Sequence, residues 1–285
     1  MNNTFKELKF KIFRSGNPLF FYIGINVIIY LITAIIGVFI FLSSSALSID
    51  LFLRQYIGLP ASFTRLPERF YTIFTYMFFH DGIFHILFNM LGLYWFGSIF
   101  MNFLNTRQFH FVYLTGGIAG GLFAILALNI FPVFSSSLIA TTIIGASAAV
   151  MAIIFAAATL VPNYTIMLLF IGEVKIKWIA IIYFILDFIA IGSVNAGGSL
   201  AHIGGALLGF AFIKSLQNGN DWSKIFVRKP KLRVVKNEKP PVKKSEFKGG
   251  VSQQEIDEIL DKISTSGYDK LTASEKEKLF KASKD

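Results

Sequence analysis

The sequence predicts an all-α, polytopic membrane protein, with a bundle of six transmembrane helices followed by a small C-terminal helical hairpin. Its mean hydropathy is +0.60 and 54% of its 285 residues are hydrophobic. Only 15% are charged, whereas soluble domains carry about 25%. No Asp, Glu, Lys or Arg occurs between Arg107 and Glu173. A soluble chain needs charge over its whole surface, so lipid suits this composition better than water.

Six apolar stretches are candidates for membrane crossing. A spanning helix needs about 20 apolar residues, and the fourth stretch is short by that measure. Pro132 follows the end of the third stretch and Pro162 that of the fourth. The six predicted spans are residues 19–42, 83–103, 108–131, 146–161, 176–191 and 199–216.

The distribution of lysine and arginine predicts the orientation. Basic residues precede the first span, occupy the loops after the second and fourth spans, and crowd the tail after the sixth. The other side of the membrane has only Arg54, Arg65 and Arg69. By the positive-inside rule, both termini are expected in the cytoplasm. The net charge of +10 then reflects topology and attraction to anionic lipid, so we expect membrane lipid and not nucleic acid as a partner.

Four regions follow from these patterns. They are a basic cytoplasmic segment (1–17), the six-helix membrane domain (18–217), a Lys/Pro-rich linker (218–250) and a cytoplasmic helical hairpin (251–285). Each helix of the hairpin is predicted by an S/T-x-x-E capping box, at 252–255 and 272–275. So short a segment buries little core alone. The chain has no cysteine, which excludes disulfides, thiolate metal sites and a cysteine nucleophile.

Polar residues occur inside three of the predicted spans, where they are costly and are functional candidates. The run HDGIFHILFNM brings His80, His85 and Asn89 to the start of the second span. Ser147 and His202 lie near the starts of the fourth and sixth spans. Because these three spans run inward, we expect His85, Ser147 and His202 at one depth near the outer surface. Asn89 shares a helix face with His85.

Small residues predict a close contact between the fourth and sixth spans. Gly205 and Gly209 form a GxxxG pattern on the face that carries His202, and such patterns allow helix backbones to approach. Ala148 and Ala152 have the same spacing in the fourth span. This contact would bring the serine toward the histidine.

Together these residue types suggest acyl-transfer chemistry. A neutral imidazole is the usual base for a serine hydroxyl, and the resulting oxyanion needs donors held ready. The Ser147 backbone N–H, the Asn89 amide and the His85 ring could supply them, at a helix start whose dipole favours negative charge. Singly, the serine could be a helix cap and the others structural hydrogen-bonding residues, so the hypothesis rests on their co-location. Asp187, near mid-span, is expected to have a structural or pairing role, and a place as the third member of a triad is the less favoured alternative.

Three motifs, in order, resemble those of the rhomboid intramembrane serine proteases. HDGIFHILFNM resembles the family signature H-x-x-x-x-H-x-x-x-N, GAS at 145–147 resembles the G-x-S-G nucleophile motif, and AHIGG at 201–205 resembles A-H-x-x-G. The resemblance covers about residues 18–217. It implies a six-helix core with a buried, water-accessible site open to the outside, which cleaves transmembrane segments of other membrane proteins.

The resemblance also implies roles for the intramembrane polar residues. Ser147 and His202 would form a catalytic dyad with no essential acid, while His85 and Asn89 would stabilise the oxyanion. No cofactor and no metal are implied. The expected partners are transmembrane protein substrates and membrane lipid, and the sequence does not identify a partner for the hairpin.

Other positions are interpreted through the same resemblance. His80 and Gly145 would support the site, and loop 43–69 would be the lateral outer loop of the family. The hairpin resembles appendages of some bacterial rhomboids, so we expect a bacterial inner membrane location. Two positions depart from the family pattern: Ala148 replaces the second glycine of G-x-S-G, and Met151 replaces a frequent aromatic residue.

Three alternatives compete with the protease hypothesis. A catalytically silent rhomboid-like protein that binds membrane clients usually lacks the serine or the histidine, and both are present here. A haem-binding membrane protein could use His85 and His202 as axial ligands, but would not explain Ser147 or Asn89. A transporter would predict internal repeats and broken helices, which the sequence does not display.

Overall fold

The computed structural model describes residues 2–44, 47–168, 171–193, 195–226 and 251–283. The chain divides into two compact units, Met1–Arg228 and Lys229–Asp285. Most of the predicted linker, residues 227–250, lies outside the described residues. Its first part, 218–226, belongs to the first unit, because Trp222–Phe226 forms a 3-10 helix and the Trp222 ring packs edge-on against Phe212.

Helices dominate the first unit, and six of them correspond to the predicted spans with ends within three residues of the expected positions. Two short antiparallel strand pairs complete it. The helices are α1 Asn2–Phe13, α2 Pro18–Leu42, α3 Ile49–Tyr56, α4 Thr72–Thr75, α5 Ile83–Phe103, α6 Thr106–Ile130, α7 Ser147–Leu160, α8 Ile176–Ala190 and α9 Ala196–Gln217. The strands are β1 Leu59–Pro60, β2 Thr142–Ile143, β3 Thr165–Leu168 and β4 Gly172–Lys175.

Four helices in the described part of the chain, α2, α5, α6 and α9, are long and apolar enough to cross a bilayer. The other two expected spans are shorter, since α7 has 14 residues and α8 has 15. The count of six crossings therefore stays a prediction. In the most apolar window of α2 only 6% of residues are buried, against 67% in α9. Thus α2 lies at the edge of the unit, and α9 near its centre.

Helix α7 is central too, and it contacts its neighbours through very small side chains. Ten of its 14 residues are buried, and its contact with α9 is the most extensive between any two described elements. A Cβ added at Gly205 would meet the carbonyl oxygen of Ala148, and one at Gly209 would meet that of Ala152. The two helix backbones are therefore in direct contact along the GxxxG face.

Helix α6 packs against the same pair of helices through its own glycines. A Cβ at Gly120 would lie 2.7 Å from the Cβ of Ala148 and would also meet the carbonyl oxygen of Ala201 on α9. One turn earlier, a Cβ at Gly116 would meet Ala152. The start of α7, which carries Ser147, therefore packs between the glycine-containing faces of α6 and α9.

Loop 43–69, which the family resemblance interprets as the lateral outer loop, contains α3 and β1. Strand β1 pairs with β2, with Leu59 opposite Ile143, and Leu59 is fully buried. The Asn129 side chain of α6 donates a hydrogen bond to the Ala61 carbonyl. These bonds fasten the loop to the segment that leads into α7.

The second unit contains helices α10 Gln253–Ser266 and α11 Ala273–Ala282, joined by the 3-10 turn Tyr268–Lys270. Each begins with a complete capping box, formed by Ser252 with Glu255 and by Thr272 with Glu275. Ile256, Ile259, Val251 and Leu271 are its buried apolar side chains among the described residues.

Each capping-box glutamate also binds a lysine of the other helix. Lys278 Nζ donates to Glu255 Oε1 at 2.7 Å, and Lys262 Nζ donates to Glu275 Oε1 at 2.7 Å. Together with the capping bonds, these lysines lower the pKa of both carboxyl groups from 4.5 to about 2. The N-terminus of each helix is thus linked by an ion pair to the C-terminal half of the other helix.

The glycine contacts predict that Gly205→Ala destabilises the membrane unit. Its new methyl group would collide with the Ala148 carbonyl, and overpacking of this kind costs about 1–3 kcal/mol. The check is thermal unfolding in detergent. Gly92→Ala on α5 is the matched control, because a Cβ there would be 3.4 Å from Val150, an ordinary contact. Equal unfolding temperatures for the two variants would contradict the close contact between Gly205 and the Ala148 carbonyl.

The ion pairs predict a specific acid sensitivity of the second unit. A carboxyl group whose pKa is lowered on folding stabilises the fold fully above its unfolded pKa and loses that effect as pH falls through its folded pKa. The stabilisation should therefore decline between about pH 4.5 and pH 2. Methyl NMR of Ile256 and Ile259 in the full chain would detect the loss.

A double variant, Lys262→Gln with Lys278→Gln, supplies the comparison. Without the lysines the glutamate pKa values should be less depressed, so the stabilisation that remains should be smaller and should disappear at higher pH than in the wild type. Identical acid transitions in the variant and the wild type would refute the role of the lysines.

Candidate active site

A cavity of about 990 Å³ opens among α5, β2, α7, α8 and α9. His85, Asn89, Ser147 and His202 all line it, so the structure brings together four residues that come from three helices. The walls of the cavity also include Val150 and other apolar side chains of α7. The polar residues therefore face a shared space with apolar surroundings.

Ser147 is the first residue of α7, and local backbone geometry presents it to the cavity. Gly145 has φ +127°, a conformation that L side chains rarely adopt, and its N–H donates to the Tyr76 carbonyl at 3.0 Å. Ala146 is the N-cap and provides no capping side chain, and the first turn of α7 contains no acidic residue. Backbone N–H groups at this helix start are thus left for another acceptor.

His80 and Gly145 pack around His85 rather than lining the cavity themselves. A Cβ at Gly145 would lie 2.7 Å from His85 Nε2, so only glycine leaves room for that ring. The His80 ring is edge-on to the His85 ring, with centroids 5.0 Å apart. His80 Nε2 accepts a hydrogen bond from the Ala146 N–H at 3.4 Å. These contacts hold the His85 ring beside the start of α7.

Asn89 is tied to its own helix. Its Nδ2 donates to the His85 carbonyl oxygen at 2.8 Å, and the residue is 7% exposed. One amide N–H is therefore used within α5. The second N–H is the one that chemistry in the cavity could use.

The imidazole of His202 is hydrogen-bonded to the carboxyl group of Asp187. Its Nδ1 lies 2.7 Å from Asp187 Oδ1 on α8, and both side chains line the cavity. Sequence analysis favours a structural or pairing role for Asp187 over a place in a triad, because spacing along the chain does not reveal which faces of α8 and α9 meet. Within the described residues, no hydrogen bond joins the Ser147 hydroxyl to His202.

The two departures from the family pattern both lie next to Ser147. The methyl group of Ala148 is received by Gly120 of α6, so glycine on the neighbouring helix makes room for the alanine that replaces glycine in the motif. Met151, one turn after Ser147, lines the cavity. A flexible, apolar side chain thus occupies the place of the frequent aromatic ring.

An ion pair stands at the edge of the cavity. Arg54 of α3 and Asp81 of the turn before α5 are 2.6 Å apart, and both line the cavity. Their side chains are 45% and 39% exposed, so solvent screens the pair. It connects loop 43–69 to the entrance of α5.

Comparison with known proteins agrees with this arrangement. Residues 67–217, more than half of the chain, match the family described as Rhomboid domain. The chain belongs to the rhomboid family. With its apolar helices, this rhomboid is an integral membrane protein. Residues 250–285 match a second family, described as a family of unknown function (DUF6576). No curated protein matches the chain.

The geometry around Gly145 predicts that Gly145→Ala disturbs the site. An added methyl group would displace the His85 ring, and a shift of about 1 Å can cost up to about 100-fold in rate. We expect the reaction of Ser147 with a fluorophosphonate probe to slow at least about tenfold.

The matched control is Gly219→Ala. Gly219 also has positive φ, +86°, but a Cβ there would meet nothing within 4 Å. Both variants carry backbone strain of about 1–2 kcal/mol, and only Gly145→Ala should change the reactivity of the serine. Equal probe reactivity in both variants would exclude the proposed contact with His85.

Proposed function

We propose that this rhomboid is an intramembrane serine endopeptidase that cleaves transmembrane segments of other membrane proteins. The observation that carries the proposal is the cavity shared by Ser147, His202, His85 and Asn89. A hydroxyl, two imidazoles and an amide around one space are the groups that acyl transfer needs. Membership of the rhomboid family supports the same conclusion.

In the proposed reaction, Ser147 is the nucleophile and His202 the general base. The Ser147 oxygen attacks the carbonyl carbon of the scissile peptide bond while its proton passes to Nε2 of His202. The tetrahedral intermediate collapses when the C–N bond breaks, and Nε2 returns the proton to the leaving nitrogen. Water then attacks the acyl ester with Nε2 again as base, which releases the acid and restores the serine.

Negative charge develops on the former carbonyl oxygen, and the start of α7 is suited to stabilise it. Its backbone N–H groups lack a side-chain cap, and the helix dipole favours an anion there. His85 and the free amide N–H of Asn89 are proposed as further donors. Each preorganised donor of this kind contributes about 10²–10³-fold in rate.

The Ser147–His202 hydrogen bond is expected to form when substrate enters. Catalytic hydrogen bonds are often long in a free enzyme and tighten in the complex with substrate. Helix α7 is held rigidly by α6 and α9, whereas the His202 side chain is partly exposed in the cavity. We therefore expect a small movement of the imidazole rather than of the serine.

The proposed location is a bacterial inner membrane, with both termini in the cytoplasm and the cavity facing outside. The basis is the asymmetry of basic residues, which places loop 43–69 and the starts of α5, α7 and α9 on one side. Proposed partners are transmembrane substrates and surrounding lipid. The second unit would then lie in the cytoplasm.

The test is cleavage of single-span substrates in liposomes by the full chain. Ser147→Ala and His202→Ala should abolish cleavage while both purified proteins remain folded. Matched controls are Ser98→Ala and His110→Ala. The Ser98 hydroxyl donates a hydrogen bond to the Tyr94 carbonyl, and the His110 ring is hydrogen-bonded to the Tyr22 hydroxyl, both away from the cavity. Cleavage that survives Ser147→Ala would reject the serine as nucleophile.

The donors are tested separately in the same assay. His85→Ala and Asn89→Ala should each reduce kcat about 100-fold. A wild type that neither cleaves several substrates nor reacts with a fluorophosphonate would favour a silent client-binding protein. A haem absorption band in the purified protein would favour the bis-histidine alternative.

A further inference from the structure

The hydrogen bond between His202 and Asp187 connects the proposed base to a carboxylate. The Nδ1–Oδ1 distance is 2.7 Å, within the range of charge-assisted hydrogen bonds. The side chains of His202 and Asp187 are 24% and 15% exposed. The bond is therefore largely sheltered from solvent, yet it lies at the wall of the cavity and not deep in the helix interface.

The bond selects which imidazole nitrogen carries the proton. An ionised carboxylate only accepts hydrogen bonds, so Nδ1 of a neutral His202 must be the protonated nitrogen. Nε2 is then left with its lone pair, which is the form a general base needs. The acid thus sets the tautomer and the orientation of the ring.

Other charged and titratable groups also line the cavity. They are Arg54 of α3, Asp81 before α5, His85 of α5 and Tyr183 of α8. Asp81 is paired with Arg54, and His85 packs against His80. Among the described residues that line the cavity, Asp187 is the carboxylate bonded to His202.

We propose that Asp187 is a positioning residue for the reaction: it stays ionised, holds the proton on Nδ1 of His202 and so presents Nε2 as the base for Ser147. The proposal rests on the proposed proteolytic function and extends it from a dyad to a dyad with an orienting acid. Asp187 does not touch the substrate or the reacting atoms. When Nε2 takes up the serine proton, the carboxylate also stabilises the imidazolium that forms.

The first test compares pH profiles of fluorophosphonate labelling of Ser147 in the full-length protein. Asp187→Asn should slow labelling at neutral pH about 10- to 100-fold, the effect of one charge-assisted hydrogen bond. The acidic limb of the profile should also change, because the carboxylate no longer stabilises the imidazolium. Asp187→Glu keeps the negative charge and should retain the wild-type acidic limb. The matched control Asp261→Asn in α10 should leave rate and profile unchanged.

The second test needs no activity. In Ser147→Ala protein with ¹⁵N-labelled histidine, the His202 imidazole should show the Nδ1–H tautomer at neutral pH. Adding Asp187→Asn should change that tautomer. If Asp187 merely ties α8 to α9, Asp187→Asn should lower thermal stability without changing the tautomer or the acidic limb, and that result would overturn the proposal.

The two tests separate this inference from the proposed function. Loss of labelling in Ser147→Ala, with wild-type labelling and an unchanged profile in Asp187→Asn, would reject Asp187 and retain the protease. Labelling that survives Ser147→Ala would reject the proposed function, while the NMR result would still decide whether Asp187 sets the tautomer.

Discussion

The contact of α7 with α6 and α9 is the constraint on which the cavity depends. A Cβ added at Gly205 would collide with the Ala148 carbonyl, and one added at Gly120 would collide with the Ala148 methyl group. Ser147 is one residue before this contact, and His202 is one turn before Gly205. Packing that leaves no room for a single methyl group therefore decides where the hydroxyl and the imidazole lie. Small residues here serve the position of the site as much as the stability of the bundle.

Asn89, His80 and His202 each have a hydrogen-bond partner, as a low-dielectric surrounding favours. Asn89 bonds the His85 carbonyl, the Ala146 N–H bonds His80, and His202 bonds Asp187. Of these groups, Asn89 keeps its second amide N–H and His202 keeps Nε2 for the cavity. The site is thus preorganised by bonds that an apolar helix alone would lack, which is the arrangement that electrostatic stabilisation of a transition state needs.

Sequence patterns located the helices well because each apolar stretch has sharp ends. The predicted second span, 83–103, coincides with α5, and the GxxxG face does meet the alanines of α7. Contacts between distant segments were not predictable in this way. Nothing in the spacing of Asp187 and His202 shows that their helix faces meet, and a two-residue pairing such as β1 with β2 has no periodicity. The compensation of Ala148 by Gly120 likewise requires the relative position of two helices.

In the second unit, the sequence predicts both helices but not the ion pairs that join them. Both capping boxes are evident in the sequence, but the lysine partners of their glutamates are not. In the structure, Glu255 and Glu275 each also bind a lysine of the opposite helix, so two ion pairs join the N-terminus of each helix to the C-terminal half of the other. Such exposed pairs are weak individually and are screened by salt. A unit with so few buried apolar residues therefore depends on several small contributions acting together, and a partner that covered its apolar faces would add stability that its own core cannot supply.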